Sequence, residues 1–135
     1  MYSKAKLFGD EVIAQKILRE RKPNACKRLG RQVSGFDESL WDKWKIFLMY
    51  QHNKAKFSQN PSLLLQLSAT FPNILVECAP NDLVWGNGLD IPTTMTYRNW
   101  PFPGQNLLGK VLTRVRDELT GNPTPNFEFE INKPV

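Results

Sequence analysis

Two cysteines and one histidine are all the sulfur and imidazole that these 135 residues offer to a zinc site or a disulfide. Cys26 and Cys78 form no Cys-x-x-Cys, and His52 alone is too little for a zinc site. Two isolated thiols suit a reducing cytosol better than a disulfide scaffold. No apolar run approaches the ~18 residues that span a bilayer. The opening residues, Met1 to Phe8, lack the apolar centre of a signal peptide. A cytoplasmic protein with no membrane partner is expected. Neither GxGxxG nor GxxxxGK follows a strand pattern. No Lys/Arg run is interleaved with aromatics, so there is no dedicated nucleic-acid motif. Repeats and low-complexity segments are absent, and no metal or cofactor is implied.

What is present is enough for one core. Apolar residues make up 41% of the chain, with 4 Trp and 8 Phe, and the net charge is +5. That charge suits a phosphorylated small molecule, among other anionic partners. Met1 to Phe8 has the character of a helix end. Asp10 predicts a cap for a helix running to about Arg21, with Ile13, Ile17, Val12 and Leu18 on its apolar face. Pro23 to Leu29 predicts a short helix with Gly30 just past its end. Asp37 predicts a cap for the longest helix, about Glu38 to Phe57. Its face from Leu40 through Trp41 and Trp44 to Leu48 is the expected heart of the core.

Asn60-Pro61 predicts a cap for Ser62 to Ala69. Ile74 to Ala79 is the best strand candidate. Asp90 to Gly104, with three prolines, predicts a long irregular loop. Gln105-Asn106 predicts a cap for Leu107 to Leu119, closed by Gly121. Phe127, Phe129 and Ile131 alternate with acids, which fits an edge strand or a mobile extension. The fold class is mainly α: a compact multi-helix orthogonal bundle with one or two short strands. Residues 1–121 form the domain and 122–135 a C-terminal extension.

The stretch Glu77 to Gly88 carries the densest chemistry. Glu77 and Asp82 are the leading carboxylates. Such a pair stabilises the oxocarbenium-like transition state of glycoside cleavage and directs water to it. Equally, Glu77 pairs with a lysine and Asp82 caps a turn. Trp85 offers a face for a planar base or fills a core, while Gly86 and Gly88 permit positive φ and close approach. Trp100, in the proline-rich stretch, is a second stacking surface. The helix start at Asn106 offers backbone N–H groups to a phosphate, or is an ordinary cap. Lys27, Arg28 and Arg31 form a basic cluster for a diphosphate, or a solvated face. Lys4 and Lys6 stand on the first segment. A lysine in an apolar pocket can deprotonate and attack a sugar C1, though most lysines are solvated.

Taken in order, these residues resemble a known family. The blocks are Lys4-Ala5-x-x-Phe8-Gly9-Asp10, Lys27-x-x-Gly30-Arg31-x-Val33-x-Gly35-Phe36, Trp41-Asp42 and Lys56-Phe57-x-Gln59-Asn60. They continue with Leu75-Val76-Glu77, Asp82-x-x-Trp85-Gly86 and Gln105-Asn106-Leu107-Leu108-Gly109. The series is similar to the NADAR, or YbiA-like, domain over about residues 1 to 119. The resemblance implies an N-glycosidase of phosphorylated ribosyl compounds: riboflavin-pathway intermediates, or ADP-ribose on a base. It implies that Lys4 engages the ribose C1, with Asp82 and Glu77 also catalytic. Trp85, Gly86, Trp41, Asn106 and Arg31 would bind substrate. The family pattern carries short strands, an Asn-Phe motif and a catalytic Glu ahead of that lysine. Met1 falls within the helix that follows the Glu, so an N-terminally truncated member is expected. The alternative is a relative that binds ADP-ribose-like nucleotides without turnover.

Overall fold

Seven helices and no strand make up the protein, whose computed structural model describes every residue from Met1 to Val135. Apart from the last two residues, the chain divides into two compact units, Met1–Lys45 and Ile46–Lys133. No helix is long and apolar enough to cross a membrane.

In the first unit, α1 (Tyr2–Leu7) is followed by α2 (Glu11–Arg19). Asp10 Oδ1 accepts from the Ile13 N–H at 3.0 Å, the cap that the sequence predicts. Its other oxygen accepts from both the N–H and the hydroxyl of Ser34. One carboxylate therefore starts a helix and tethers the loop that follows α3. Helix α2 stops short of Arg21 because Glu20 Oε1 accepts the N–H groups of Arg21 and Lys22. Ile13 and Ile17 join Ala5, Ala14 and Val33 in the core of this unit. Val12 and Leu18, expected beside them, are 67% and 59% exposed. At about 100° per residue they fall on the two flanks of the Ile13–Ile17 line.

Pro23 opens α3 (Pro23–Gly30) as expected, but Gly30 departs from its predicted role. It is the last helical residue, and the following Arg31 is right-handed. A Cβ there would lie 2.3 Å from Met1 Sδ, the flexible end of a side chain that can move aside.

Helix α4 (Glu38–Gln59) begins in the first unit and continues into the second. Asp37 Oδ1 caps it through the Leu40 N–H at 3.0 Å. The expectation that its Leu40–Leu48 face forms the heart of the core is not met, because no residue of α4 is buried. Trp41, Trp44, Phe47 and Leu48 are joined by Ile46, Met49 and Tyr50. Apolar groups therefore circle this helix instead of forming one stripe.

The second unit holds α5 (Pro61–Ser68), α6 (Ile91–Thr96) and α7 (Leu107–Thr120). Its core is Leu67, Val111 and Val115, with Leu75, Leu119, Phe129 and Ile131 packed on it. Asn60 precedes α5 without capping it; its Nδ2 donates back to the Lys56 carbonyl instead. Helix α6 lies where the sequence reading placed an irregular loop. Asp90 caps it through Thr93 N–H at 2.8 Å, and Pro92 sits in its first turn. That cap-plus-proline signal was readable, and Ile91 and Met95 stand at i and i+4, but the helix is only six residues long and both side chains are exposed. Gly121 ends α7 in the left-handed conformation at φ 71, as predicted.

Neither Ile74–Ala79 nor Phe127–Ile131 forms a strand. The first is a short apolar run and the second alternates, but neither meets a second strand. The latter is fastened through Arg116, which is fully buried. Its guanidinium donates to Thr70 Oγ1, the Asn73 carbonyl, Asp117 Oδ1 and Thr124 Oγ1. Asp117 in turn accepts the Thr124 N–H. Arg116→Met leaves the Asp117 charge without its partner. It should cost about 3–5 kcal/mol in urea unfolding. Arg114→Met, which removes an exposed pair with Glu118, should cost under ~1 kcal/mol.

Candidate active site

In the first unit the structure brings Lys4, Arg31 and Trp41 together. Lys4 Nζ donates to the Gly30 carbonyl at 2.9 Å. It lies 4.4 Å from the centroid of the Phe36 ring and 5.6 Å from that of Trp41. Phe36 packs edge-on against Phe8 and remains 47% exposed. The rings and the carbonyl favour an ammonium. Burial works against them and lowers the Lys4 pKa, and the Arg31 charge lowers it further. Lys6 has a different setting: it is exposed and paired with Glu11 at 2.6 Å.

Sequence reasoning missed Phe36 and the Gly30 carbonyl. Phe36 was quoted only as the last residue of the block Lys27 to Phe36, with no role given to it, and the Asp10–Ser34 bonds that hold its loop leave no trace in the sequence. Phe36 also walls an open hollow with Asp37, Glu38, Asp42 and Lys43, where three acids outnumber one base and leave it unsuited to phosphate. Lys27, Arg28 and Arg31 are exposed, and none makes an ion pair.

In the second unit Glu77, Asp82, Trp85, Gly86 and Asn106 share one framework. Asp82 Oδ1 accepts the N–H groups of Val84 and Trp85 at 3.0 and 2.8 Å. The turn-capping reading of Asp82 therefore holds for that oxygen, and Oδ2 is left over. Glu77 is exposed, and its carboxylate makes no hydrogen bond or ion pair. Trp85 is half-buried. Gly86 does not adopt positive φ; only Gly88 does, at φ 80. Gly86 is required by packing, since a Cβ would lie 2.6 Å from that of Ala79.

The start of α7 is not the open phosphate cradle that its sequence suggested. The N–H groups of Gly104, Gln105, Asn106, Leu107 and Leu108 donate to the carbonyls of Asn87, Leu83, Gly86, Val84 and Trp85. Helix-start donors that would await an anion are consumed by the site loop itself. Asn106 is left-handed at φ 53 and does not cap α7 with its side chain. Its Oδ1 instead accepts the Glu77 N–H at 2.9 Å, and its Nδ2 donates to the Leu75 carbonyl at 3.0 Å. Gly109 makes room for this: a Cβ there would lie 2.2 Å from the Leu75 oxygen.

Asn87, not singled out from sequence, is fully buried. It donates its N–H to the Glu77 carbonyl and its Nδ2 to Thr94 Oγ1. No three His, Cys, Asp or Glu side chains converge as metal ligands. Trp100 is 70% exposed and lies against Phe102, with ring centroids 4.2 Å apart and planes tilted by 47°.

The same blocks decide kinship. The profile of the NADAR domain matches residues 1–120. The chain belongs to the NADAR domain family. It is 42% identical over 118 residues to N-glycosidase R617 of Acanthamoeba polyphaga mimivirus, covering 87% of this chain and 69% of that protein. Protein irg-1 of Caenorhabditis elegans is 43% identical over 123 residues, covering 88% and 57%. The chloroplastic riboflavin biosynthesis protein PYRR of Zea mays is 35% identical over 120 residues, covering 86% and 18%. This NADAR chain thus corresponds to part of each relative's length.

Asn106→Gly keeps the left-handed backbone and removes the carboxamide, which orphans the Glu77 N–H and the Leu75 carbonyl. It should cost about 2–4 kcal/mol in urea unfolding. Gln105→Ala, at an exposed neighbour, should stay within ~0.5 kcal/mol.

Proposed function

We propose that this chain is an N-glycosidase that hydrolyses the N-glycosidic bond of a phosphorylated ribosyl compound. The substrate is a riboflavin-pathway intermediate or an ADP-ribosylated base. The observation that carries this reading is Lys4: an amine held against two aromatic rings with its pKa lowered by burial and by Arg31. A lysine must lose its proton before its lone pair can reach an electrophilic carbon, and those two influences make that easier. The names N-glycosidase R617 and riboflavin biosynthesis protein PYRR support the same chemistry.

In this reading Lys4 engages the ribose C1 as the base departs. Trp41 and Phe36 frame the amine, and Arg31 with Lys27 and Arg28 attracts the phosphate. In the second unit, Glu77 and Asp82 are the proposed catalytic carboxylates, Glu77 with its carboxylate uncommitted and Asp82 with Oδ2 left over. Trp85 and Gly86 are that unit's proposed substrate-binding residues. Asn106 is a positioning residue: it binds substrate only through the Glu77 backbone that it holds. Cys26 and Cys78 are free thiols, consistent with work in a reducing cytoplasm.

The test is release of ribose phosphate from phosphorylated pyrimidine and purine ribosides, followed by chromatography. Lys4→Ala should lower kcat by roughly 10²–10⁴-fold. Unchanged turnover in that variant would sink the reading. Saturable ADP-ribose binding with no release by the parent chain would instead assign a binder. For pH, the active form is the neutral amine, so kcat/KM should rise with pH and level off above the Lys4 pKa. That pKa lies below the ordinary 10.5. Arg31→Gln removes a like charge, so the Lys4 pKa should rise and the rising limb should move to higher pH. A limb that stays in place would show that Lys4 does not titrate in the reaction.

A further inference from the structure

Asp10 is bonded to three separate pieces of the first unit. Its N–H donates to the carbonyl of Ala5, the neighbour of Lys4 in α1, at 2.9 Å. Its Oδ1 accepts the Ile13 N–H and starts α2. Its Oδ2 accepts the Ser34 N–H at 2.9 Å and the Ser34 hydroxyl at 3.0 Å. Gly35 then turns the chain at φ 67, a conformation that suits glycine, and Phe36 follows. The helix that carries Lys4 and the loop that carries Phe36 are both referred to one residue.

Phe36 depends on that reference. It packs edge-on against Phe8 with centroids 5.3 Å apart and is still 47% exposed, so packing alone gives it a loose seat. Its ring nevertheless closes one side of the Lys4 amine, at 4.4 Å from the centroid. The other neighbours are the Gly30 carbonyl at 2.9 Å and the Trp41 ring at 5.6 Å. A lysine stem is flexible, so the direction of the amine is set by what surrounds it.

We propose that Asp10 is a positioning residue for Lys4: through Ser34 it keeps the Phe36 ring over the amine and so fixes where the amine points. The role rests on the reading of Lys4 as the group that engages the ribose C1. Both Asp10 oxygens are already engaged, so it acts through Phe36 and not on substrate. Capping alone does not call for a carboxylate, since serine or asparagine starts a helix as well. Only a carboxylate brings a second acceptor for the two Ser34 donors. The N–H groups of Ser34 and Ile13 hold the Asp10 carboxyl below its ordinary value, so the tether stays charged at neutral pH.

The test is Asp10→Ser, which leaves an oxygen to cap α2 and removes the one that holds Ser34. In the parent chain, NMR should place the Lys4 ε-methylene protons upfield of those of Lys6, because they lie beside two aromatic rings. In Asp10→Ser at least half of that difference should vanish, while the Ile13 amide exchanges as slowly as before. For ribose phosphate release, kcat should fall roughly tenfold with KM within about twofold. Phe36→Ala should lower kcat by a similar factor, and adding Asp10→Ser to it should cost less than about twofold more. An undiminished upfield shift in Asp10→Ser overturns the proposal, and so do kcat losses that multiply in the double variant. If Asp10→Ser fails to melt cooperatively, Ser34→Ala, which removes one of the two donors, should show a smaller loss of the same shift. No loss there overturns the proposal too. Turnover that survives Lys4→Ala sinks the N-glycosidase reading instead, while the shift still decides, independently of turnover, whether Asp10 places Phe36.

Discussion

The amide groups at the start of α7 need acceptors, and the second unit is arranged around supplying them. A helix usually meets this need with a side-chain cap or with water. Here the carbonyls of residues 83–87 take the N–H groups of residues 104–108. The loop that bears Asp82, Trp85 and Gly86 is thereby bonded, residue by residue, to the helix. The side chain that would have capped the helix is released for other work. Asn106 spends it on Leu75 and Glu77, so a second stretch of chain is held by the same residue. Gly109 and Gly104 follow from that closeness, since a Cβ at either would run into backbone.

The first unit follows a comparable economy through Asp10. Its two oxygens start α2 and hold Ser34, and the loop so held carries Phe36 to the Lys4 amine. The charged end of Lys4 then meets two opposed influences. The aromatic faces and the Gly30 carbonyl favour a proton, while burial and Arg31 disfavour it. The net displacement is downward. A lysine balanced in this way responds to small changes in its surroundings. A solvated one such as Lys6, fixed to Glu11, does not.

Much of this was legible in the residues. Asp10 and Asp37 were read as caps and are caps, and Gly121 was read as a stop and is one. The ordered blocks from Lys4 to Gly109 were enough to point to the family. What failed did so for physical reasons. Helix α4 carries apolar groups on all sides, so a periodicity argument gave its Trp41–Leu48 face a buried place that it does not hold. Ile74–Ala79 has strand composition, but it meets the side chains of Thr113 and Asn106 and single backbone N–H groups of Asn87 and Asp82 instead of a second strand, which no alternation pattern announces. The helix start at Asn106 looked open because its partners lie twenty residues upstream, in carbonyls that leave no trace in the sequence. Helix α6 was missed because it is only six residues long and lies in a stretch read as a loop for Pro92, Pro101 and Pro103, although its cap was plainly spelled.

The burial of Arg116 has a consequence for how the chain can be handled. Thr124 lies outside the stretch matched by the family profile, yet it is one of the groups that satisfy a fully buried guanidinium. Phe129 and Ile131 lie on the core beyond it. A boundary drawn at the last helix would cut through a polar network and uncover apolar surface. The stretch after Gly121 behaves as a clasp, so fusions and tags belong after it and not in its place.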